Sequence, residues 1–137
     1  MDQQEQWRFF YEIFDASLPR LGPGEDESTL RALRTILAKR GATRESGGGL
    51  RVLDIGCGNG PQSLALARAV EGTIVAVDNH RPFLDELERR ARAENLVATI
   101  ETRLKDMNDL GDEDGLFDLV WAEGSLFITG FREGLRI

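Results

Sequence analysis

Glycines alternate with other residues at one point of the chain, in a spacing that suits a ligand-binding turn. Residues 56–60 read Gly-Cys-Gly-Asn-Gly and directly follow a short apolar run that ends at Ile55. Glycine adopts backbone angles that side chains forbid, and it lets a ligand approach the main chain closely. Pro61 comes next, and proline suits the first turn of a helix because its missing N–H needs no partner there. The segment therefore predicts a strand, a ligand-binding turn and a helix in succession.

Two classes of cofactor-binding turn have to be distinguished at this position. The dinucleotide fingerprint, G-x-G-x-x-G/A, requires a third small residue at the sixth position of the motif. Counted from Gly56, that position is Pro61, so the spacing disfavours a nicotinamide-dependent oxidoreductase. Asp54 lies two residues before Gly56 and would repel a pyrophosphate, whereas a cationic sulfonium ligand carrying an ammonium group would benefit from the carboxylate.

The segment from Val52 to Gly60 resembles the first motif of the class I S-adenosylmethionine-dependent methyltransferases, in which an acid follows a strand and precedes G-x-G-x-G. The resemblance continues with Asp78 at the end of the next predicted strand and with a Phe-Asp-Leu-Val motif that begins at Phe117. It covers roughly residue 7 to the end of the chain. It implies an α/β fold with a doubly wound, Rossmann-like parallel sheet, and S-adenosylmethionine as the cofactor.

The resemblance also implies a set of cofactor-binding residues at the ends of the predicted strands. Asp78 would accept hydrogen bonds from both ribose hydroxyls, and a hydrogen bond to a charged group contributes roughly 1.5–3 kcal/mol. Asp106 would bind the adenine amino group, with Met107 packed on the ring, and Glu123 would face the methyl donor. The full set is Asp54, Gly56, Cys57, Gly58, Gly60, Asp78, Asn79, Asp106, Met107 and Glu123.

Three side chains near these motifs are candidates for catalysis. Cys57, the only cysteine, is interpreted as a small filler because no base is close in sequence, and a single cysteine cannot form a disulfide framework or a cysteine-based zinc site. His80, the only histidine, is expected to pack in a loop or at the rim of the cofactor site rather than to act in acid–base catalysis. Glu123 is a general base, a substrate contact or a solvated carboxylate. No catalytic residue is assigned, and no metal site is expected.

Hydrophobic periodicity predicts the elements that position these residues. Apolar runs predict strands at 50–55, 73–77, 96–104 and 116–121, and the first two strands are followed by helices at 61–70 and 82–94. Such an alternation is typical of a parallel sheet that is covered on both faces. We expect residues 50–137 to form the S-adenosylmethionine-binding half.

Residues 1–49 are expected to form a helical cap and a linker. A helix at 4–18 carries an aromatic stripe, which either packs in the core or forms a lid over a ligand. A second helix is predicted from Ser28, as its N-cap, to a stop at Gly41. A polar, glycine-rich connector follows to Gly49. The aromatic stripe consists of Trp7, Phe10, Tyr11, Phe14 and Leu18.

Length and composition restrict the class of protein further. The 137 residues suit one domain, and the 41% hydrophobic content supports a packed core. The 17 basic and 24 acidic residues give a net charge of −7, which argues against a nucleic-acid partner. No apolar run approaches the roughly 20 residues of a membrane-spanning helix, and the N-terminus lacks the regions of a signal peptide. We therefore expect a cytoplasmic protein with no membrane or nucleic-acid partner.

Segments near both ends of the chain also resemble a group of bacterial methyltransferases that act on small molecules. They are Gly22-Pro23-Gly24 and the run from Trp121 to Phe127. The main hypothesis is therefore a methyltransferase with a small-molecule substrate. The alternative is a catalytically silent cofactor-binding or assembly module.

The family sheet normally has seven strands, in the order 3-2-1-4-5-7-6, and this chain is expected to supply strands 1 to 4. The fourth strand would then be an open edge, which is a template for pairing with another chain. The chain is accordingly expected to be a truncated gene product, a fragment, or one partner of a homodimer. In a homodimer the interface would include the fourth strand or residues 125–137.

Overall fold

Four parallel strands form one sheet at the centre of the structure. The computed structural model describes residues 2–40, 49–111 and 116–136. The strands are β1 (Leu50–Ile55), β2 (Gly72–Asp78), β3 (Thr99–Leu104) and β4 (Leu119–Trp121). The helices are α1 (Gln3–Ile13), α2 (Asp26–Arg40), α3 (Pro61–Ala69), α4 (Arg81–Arg92) and the short α5 (Phe131–Gly134), which follows a 3-10 turn at Leu126–Ile128. The sheet order, β3-β2-β1-β4, confirms the predicted Rossmann-like fold.

Alternate residues of the two central strands pack on opposite faces of the sheet. On one face, Val52 of β1 and Ile74 of β2 are fully buried against the apolar side of α3 at Leu66. On the other face, Leu53 and Val75 pack against the chain segments that flank β4. Both faces are thus covered, which explains why the central strands are continuously apolar. The residues that cover the second face are Met107, Leu110, Phe117 and Ala122.

The two outer strands are shorter than predicted, and hydrogen bonds explain where β3 begins. The amides of Val97 and Ala98 donate to the Ala67 carbonyl at 3.0 and 2.9 Å. They therefore satisfy a carbonyl in the last turn of α3 instead of joining the sheet. Thr99 is the first residue of β3 that pairs with β2, opposite Thr73. The prediction that this strand begins at residue 96 is wrong for that reason.

The N-terminal helices also differ from the prediction at their ends. α1 ends at Ile13 because the next turn forms a local hydrogen bond, from the Ser17 amide to the Asp15 carboxylate at 2.8 Å. Ser28 is not the N-cap of α2, since the helix already begins at Asp26. The predicted stop at Gly41 and most of the polar connector fall on residues 41–48, outside the described residues. The division into a cap and a cofactor-binding half stays a prediction.

No helix in the described part of the chain combines the length and apolar character that crossing a lipid bilayer requires.

Strand β4 forms one edge of the sheet, and no strand among the described residues pairs with its outer side. The side chain of Val120 on this strand is 63% exposed. Covering a few hundred Å² of apolar surface contributes several kcal/mol at about 25 cal/mol per Å². We therefore expect the 137-residue chain to self-associate through the β4 edge or residues 125–137, as measured by light scattering.

A pair of matched substitutions tests which surface is responsible. Val120→Lys should shift the equilibrium towards monomer, because a lysine on an edge strand disfavours pairing with another chain. Val97→Lys is the control, since Val97 is 58% exposed but precedes β3 at the opposite edge of the sheet. A wild-type chain that is monodisperse and monomeric at all concentrations would contradict the prediction.

Candidate functional site

A cavity of about 310 Å³ opens at the carboxyl ends of the central strands. Its wall includes Gly56 after β1, Asp78 at the end of β2 and Glu123 after β4. β1 pairs with β2 on one side and with β4 on the other, so the strand order reverses here. In open α/β sheets, ligands bind at such a reversal. The fold therefore brings residues from three strand ends around one space.

The glycine turn at residues 56–60 is tied to the end of β2. The amides of Gly56 and Cys57 both donate to the Val77 carbonyl, at 2.8 and 2.9 Å, and the Gly58 amide donates to the Asp78 carboxylate at 2.9 Å. Gly58 has a φ of 56° and lines the cavity. A side chain at this position would strain the backbone, so glycine is required for the turn.

Gly60 is required for a different reason from the one that the sequence suggested. Its φ is 88°, and a Cβ atom at this position would lie 2.2 Å from Cδ1 of Leu87 on α4. Gly60 does not line the cavity. This glycine therefore lets α4 pack closely against the turn, and it makes no approach to a ligand in the cavity.

Asp78 holds the two chain segments that meet at the end of β2. One carboxylate oxygen accepts the Gly58 amide and the other accepts the His80 amide at 3.0 Å. Burial raises the pKa of Asp78 above its ordinary value, although these backbone hydrogen bonds oppose the shift. Asp78 lines the cavity, and its contact with a ligand there stays a prediction.

Asp54 lies under the glycine turn and does not line the cavity. Its side chain is fully buried, and one oxygen accepts a hydrogen bond from the Ser63 hydroxyl at 2.5 Å. The other oxygen has no hydrogen-bond partner among the described residues. Burial raises the pKa of Asp54 to about 7. The carboxylate thus joins the end of β1 to α3.

Four further predicted residues line the cavity, and the Asp106 carboxylate among them is already hydrogen-bonded to a neighbouring residue. One Asp106 oxygen accepts both the backbone and the side-chain amide of Asn108, at 2.8 and 2.7 Å. Met107 and Asn79 are part of the wall. Cys57 also contributes to the wall, but it is buried, and burial raises the pKa of its thiol well above the ordinary value. A thiol that stays protonated is a poor nucleophile, in line with its interpretation as a filler.

The aromatic stripe of α1 forms one side of the cavity. None of the residues in α1 is buried, and Trp7 is 39% exposed, so the core interpretation is wrong. Four aromatic side chains of the stripe face the cavity instead, as the lid alternative requires. Leu18 lies outside the helix, and it does not line the cavity. The four lining residues are Trp7, Phe10, Tyr11 and Phe14.

Tyr11 connects this helix to the end of β2. Its ring stacks on His80, with the ring centres 3.7 Å apart and the planes at 5°. His80 does not line the cavity, and burial lowers its pKa. These contacts support the predicted packing role for His80 over a role in acid–base catalysis. The stack also fixes α1 beside Asp78, two residues away from His80.

Glu123 is not a solvated carboxylate, because three side chains donate to it. Arg20 and Trp121 donate at 3.2 Å each, and Thr29 donates at 2.8 Å. Two of these partners, Arg20 and Thr29, could not be predicted from local sequence, since they are about a hundred positions away. Among the described residues there is no cluster of histidine, cysteine or carboxylate side chains that is suited to a metal ion.

Sequence reasoning missed the chain segment between α1 and α2 as part of the site. Arg20, Leu21, Gly22 and Pro23 all line the cavity. The available signal was Gly22-Pro23-Gly24, one of the segments that resemble the bacterial methyltransferases. Phe127 and Ile128 after β4 also belong to the wall, and both are exposed.

Comparisons with known sequences all lead to methyltransferases. The family model for a methyltransferase domain matches residues 52–134. A cypemycin N-terminal methyltransferase from a Streptomyces species is 40% identical over 89 residues, which are 65% of this chain and 34% of that protein. Methyltransferase GfsG from Streptomyces halstedii is 35% identical over 78 residues, or 57% of this chain and 28% of that protein. The chain thus spans about a third of the length of these curated relatives.

Solved structures show the same fold at low sequence identity. YjhP from E. coli superposes with a TM-score of 0.68 at 22% identity, covering 94% of this chain and 49% of that one. Magnesium protoporphyrin IX methyltransferase from Synechocystis PCC 6803, solved with bound S-adenosylmethionine, gives a TM-score of 0.66 at 20% identity. That match covers 98% of this chain and 67% of the other.

The raised pKa of Asp54 predicts a pH-dependent stability. An aspartate in an unfolded chain ionises near pH 4, at a pKa of about 3.9. Between about pH 4 and pH 7, the folded state therefore binds a proton that the unfolded state has lost, and stability falls as the pH rises through this range. Asp54→Asn is neutral at every pH. We expect the loss in unfolding free energy between pH 5 and pH 8 to be smaller in this variant than in the wild type.

Urea unfolding at the two pH values measures the effect. Asp85→Asn is the control, because Asp85 is an exposed carboxylate on α4. Its loss in unfolding free energy should match that of the wild type. Equal losses in the wild type and Asp54→Asn would mean that Asp54 is ionised in the folded protein throughout this range.

Proposed function

The chain belongs to the class I S-adenosylmethionine-dependent methyltransferase family, and we propose that it binds S-adenosylmethionine in the cavity and methylates a small molecule. The observation that carries the proposal is the position of Asp78. Its carboxylate lies at the end of β2, in the cavity wall, and it is fixed to the glycine turn through the Gly58 amide.

The residues of the cavity fit this cofactor. A carboxylate has about four lone-pair sites, and the amides of Gly58 and His80 occupy two of those on Asp78. The Asn79 amide also approaches this carboxylate, and the acceptor capacity that remains would serve the ribose hydroxyls. Gly58, which carries no side chain, forms the adjacent wall. A volume of about 310 Å³ lies at the lower end of the range for small-molecule sites.

Bound S-adenosylmethionine would supply a methyl group that is activated by the positive charge on sulfur. The contribution of the chain is to orient the reactants and to exclude water. Holding two reactants in line can contribute roughly 7–11 kcal/mol in favourable cases. The aromatic side chains of α1 are suited to excluding water, since they form an apolar wall over the carboxyl ends of β1 and β2.

A small acceptor fits the surroundings of the cavity better than a nucleic acid. The cavity is lined on one side by α1 and on another by Phe127 and Ile128, so much of its wall is apolar. The net charge of −7 also disfavours a polyanion. One Streptomyces relative is named for the N-terminal methylation of cypemycin.

Calorimetry with S-adenosylhomocysteine tests the assignment of Asp78. We expect micromolar affinity for the wild type and no binding of NAD. Asp78→Ala should weaken binding about 10- to 100-fold, because the charged hydrogen bonds to the ribose are lost. Asp85→Ala on the exposed face of α4 is the control and should bind like the wild type. An unchanged affinity in Asp78→Ala would show that the ribose lies elsewhere.

Substitution of Gly58 tests whether the turn itself holds the cofactor. Gly58→Val combines a strained backbone with a side chain in the wall, so we expect a loss of affinity greater than about 100-fold. Gly130→Val is the matched control. Gly130 has a φ of 85°, and its Cβ would meet no atom within 4 Å, so this variant suffers similar strain outside the cavity. Normal binding by Gly58→Val would exclude the turn from the binding site.

A further inference from the structure

A short segment of chain crosses the cavity between its two walls. We call residues 16–24, which connect α1 to α2, the bridge segment. At its middle, Leu21 reaches the glycine turn, since a Cβ atom at Gly58 would lie 3.0 Å from Cδ1 of Leu21. At its end, a Cβ atom at Gly24 would lie 3.2 Å from Oε1 of Glu123. The segment therefore spans the gap between the end of β1 and the end of β4.

Two side chains hold the first half of the bridge segment by its main chain. The Asn59 side-chain amide donates to the carbonyls of Ala16 and Leu18, at 2.9 and 2.6 Å. Arg90 on α4 also donates to Leu18, at 2.8 Å, and to Pro19, at 3.2 Å. Asn59 is fully buried within the glycine turn, so this half is fixed to the predicted cofactor site.

Glu123 holds the second half from the opposite wall. Its Oε1 accepts a hydrogen bond from Arg20 in the bridge segment, and its Oε2 accepts one from Thr29 in α2. Thr29 is 1% exposed, and Arg20 is also paired with Asp26 at 2.8 Å. The Trp121 indole, at the end of β4, is the third donor. One carboxylate thus joins the bridge segment, α2 and the sheet.

This arrangement leaves Glu123 poorly suited to take a proton from an acceptor. Three of its roughly four lone-pair sites are occupied, and one donor is a guanidinium, which stabilises the charged carboxylate. A general base needs a free lone pair within hydrogen-bond reach of the proton that it removes, and the three donors leave at most about one such site on Glu123. The same three contacts are what a structural anchor requires.

We propose that Glu123 is a positioning residue, which acts through Arg20 and Thr29 to hold the bridge segment across the cofactor cavity. The proposal rests on the proposed function only in so far as the cavity binds S-adenosylmethionine. The attachment of the bridge segment to Glu123 is present in the unliganded chain, so it can be measured without any ligand.

Hydrogen exchange of the intact, unliganded protein provides the direct test. Glu123→Ala and Arg20→Ala should each increase the exchange of amides in residues 16–24 about 10-fold, because the segment opens more often; the readout is Ser17 and Leu18, whose amides donate to Asp15. The double variant should show less than the product of the two single effects, since both changes remove the Arg20–Glu123 contact, while Arg20→Ala also removes the pair with Asp26. Arg34→Ala is the control, because Arg34 and Glu27 form an exposed ion pair on α2.

A second variant distinguishes a positioning residue from a general base, and it remains informative if Glu123→Ala does not fold. Glu123→Gln keeps the size of the side chain and removes its charge. We expect faster exchange in the bridge segment, a shifted indole N–H resonance for Trp121 but not for Trp7, and affinity for S-adenosylhomocysteine reduced about 3- to 10-fold. For a general base, Glu123→Gln would abolish methyl transfer and leave exchange and affinity unchanged.

The outcomes distinguish this proposal from the proposed function. Wild-type exchange in residues 16–24 of both Arg20→Ala and Glu123→Gln would overturn the positioning role, whatever the affinity for the cofactor. Failure of the wild type to bind S-adenosylhomocysteine would overturn the proposed function, while faster exchange in the variants would still support the anchor.

Discussion

The hydrogen bond from the Gly58 amide to the Asp78 carboxylate joins the ends of the two central strands. Gly58, which donates this hydrogen bond, adopts the left-handed conformation that favours glycine. The Gly56 and Cys57 amides strengthen the same junction by donating to Val77. Other walls of the cavity contact this junction or the residues next to it. α4 packs on Gly60, Tyr11 stacks beside Asp78 on His80, and the bridge segment is fastened to Asn59 within the turn.

Burial of two carboxylates beside the glycine turn lowers the stability of the folded state. Asp54 and Asp78 both have raised pKa values, and burial is the largest cause in each case. Asp78 is compensated by backbone amides, whereas Asp54 has one hydroxyl partner and one oxygen without a partner among the described residues. A buried polar atom that lacks a hydrogen bond lowers stability. The site therefore retains two carboxylates at positions where a purely structural core would carry apolar side chains.

The local sequence predicted the elements that depend on local chemistry. The bounds of β1 and the glycine turn followed from a run of branched residues and three glycines, and Asp78 followed from its distance along the chain. The contacts of Glu123 could not be predicted, since its partners Arg20 and Thr29 are remote in sequence and carry no motif. The aromatic stripe of α1 was ambiguous because an apolar helix face is the same signal whether it packs on a core or on a cavity. The start of β3 depends on the Ala67 carbonyl in the last turn of α3, which accepts the amides of Val97 and Ala98. No sequence pattern indicates that contact.

The first half of the bridge segment is held entirely through its main chain. Asn59 and Arg90 bind the carbonyl oxygens of residues 16, 18 and 19, which every amino acid possesses. Substitutions at these positions would therefore leave the attachment in place. It depends instead on the side chains of Asn59 and Arg90, outside the segment that they fix. The cavity-lining residues 20–23 are thus carried by a backbone whose position is independent of the side chains at 16, 18 and 19.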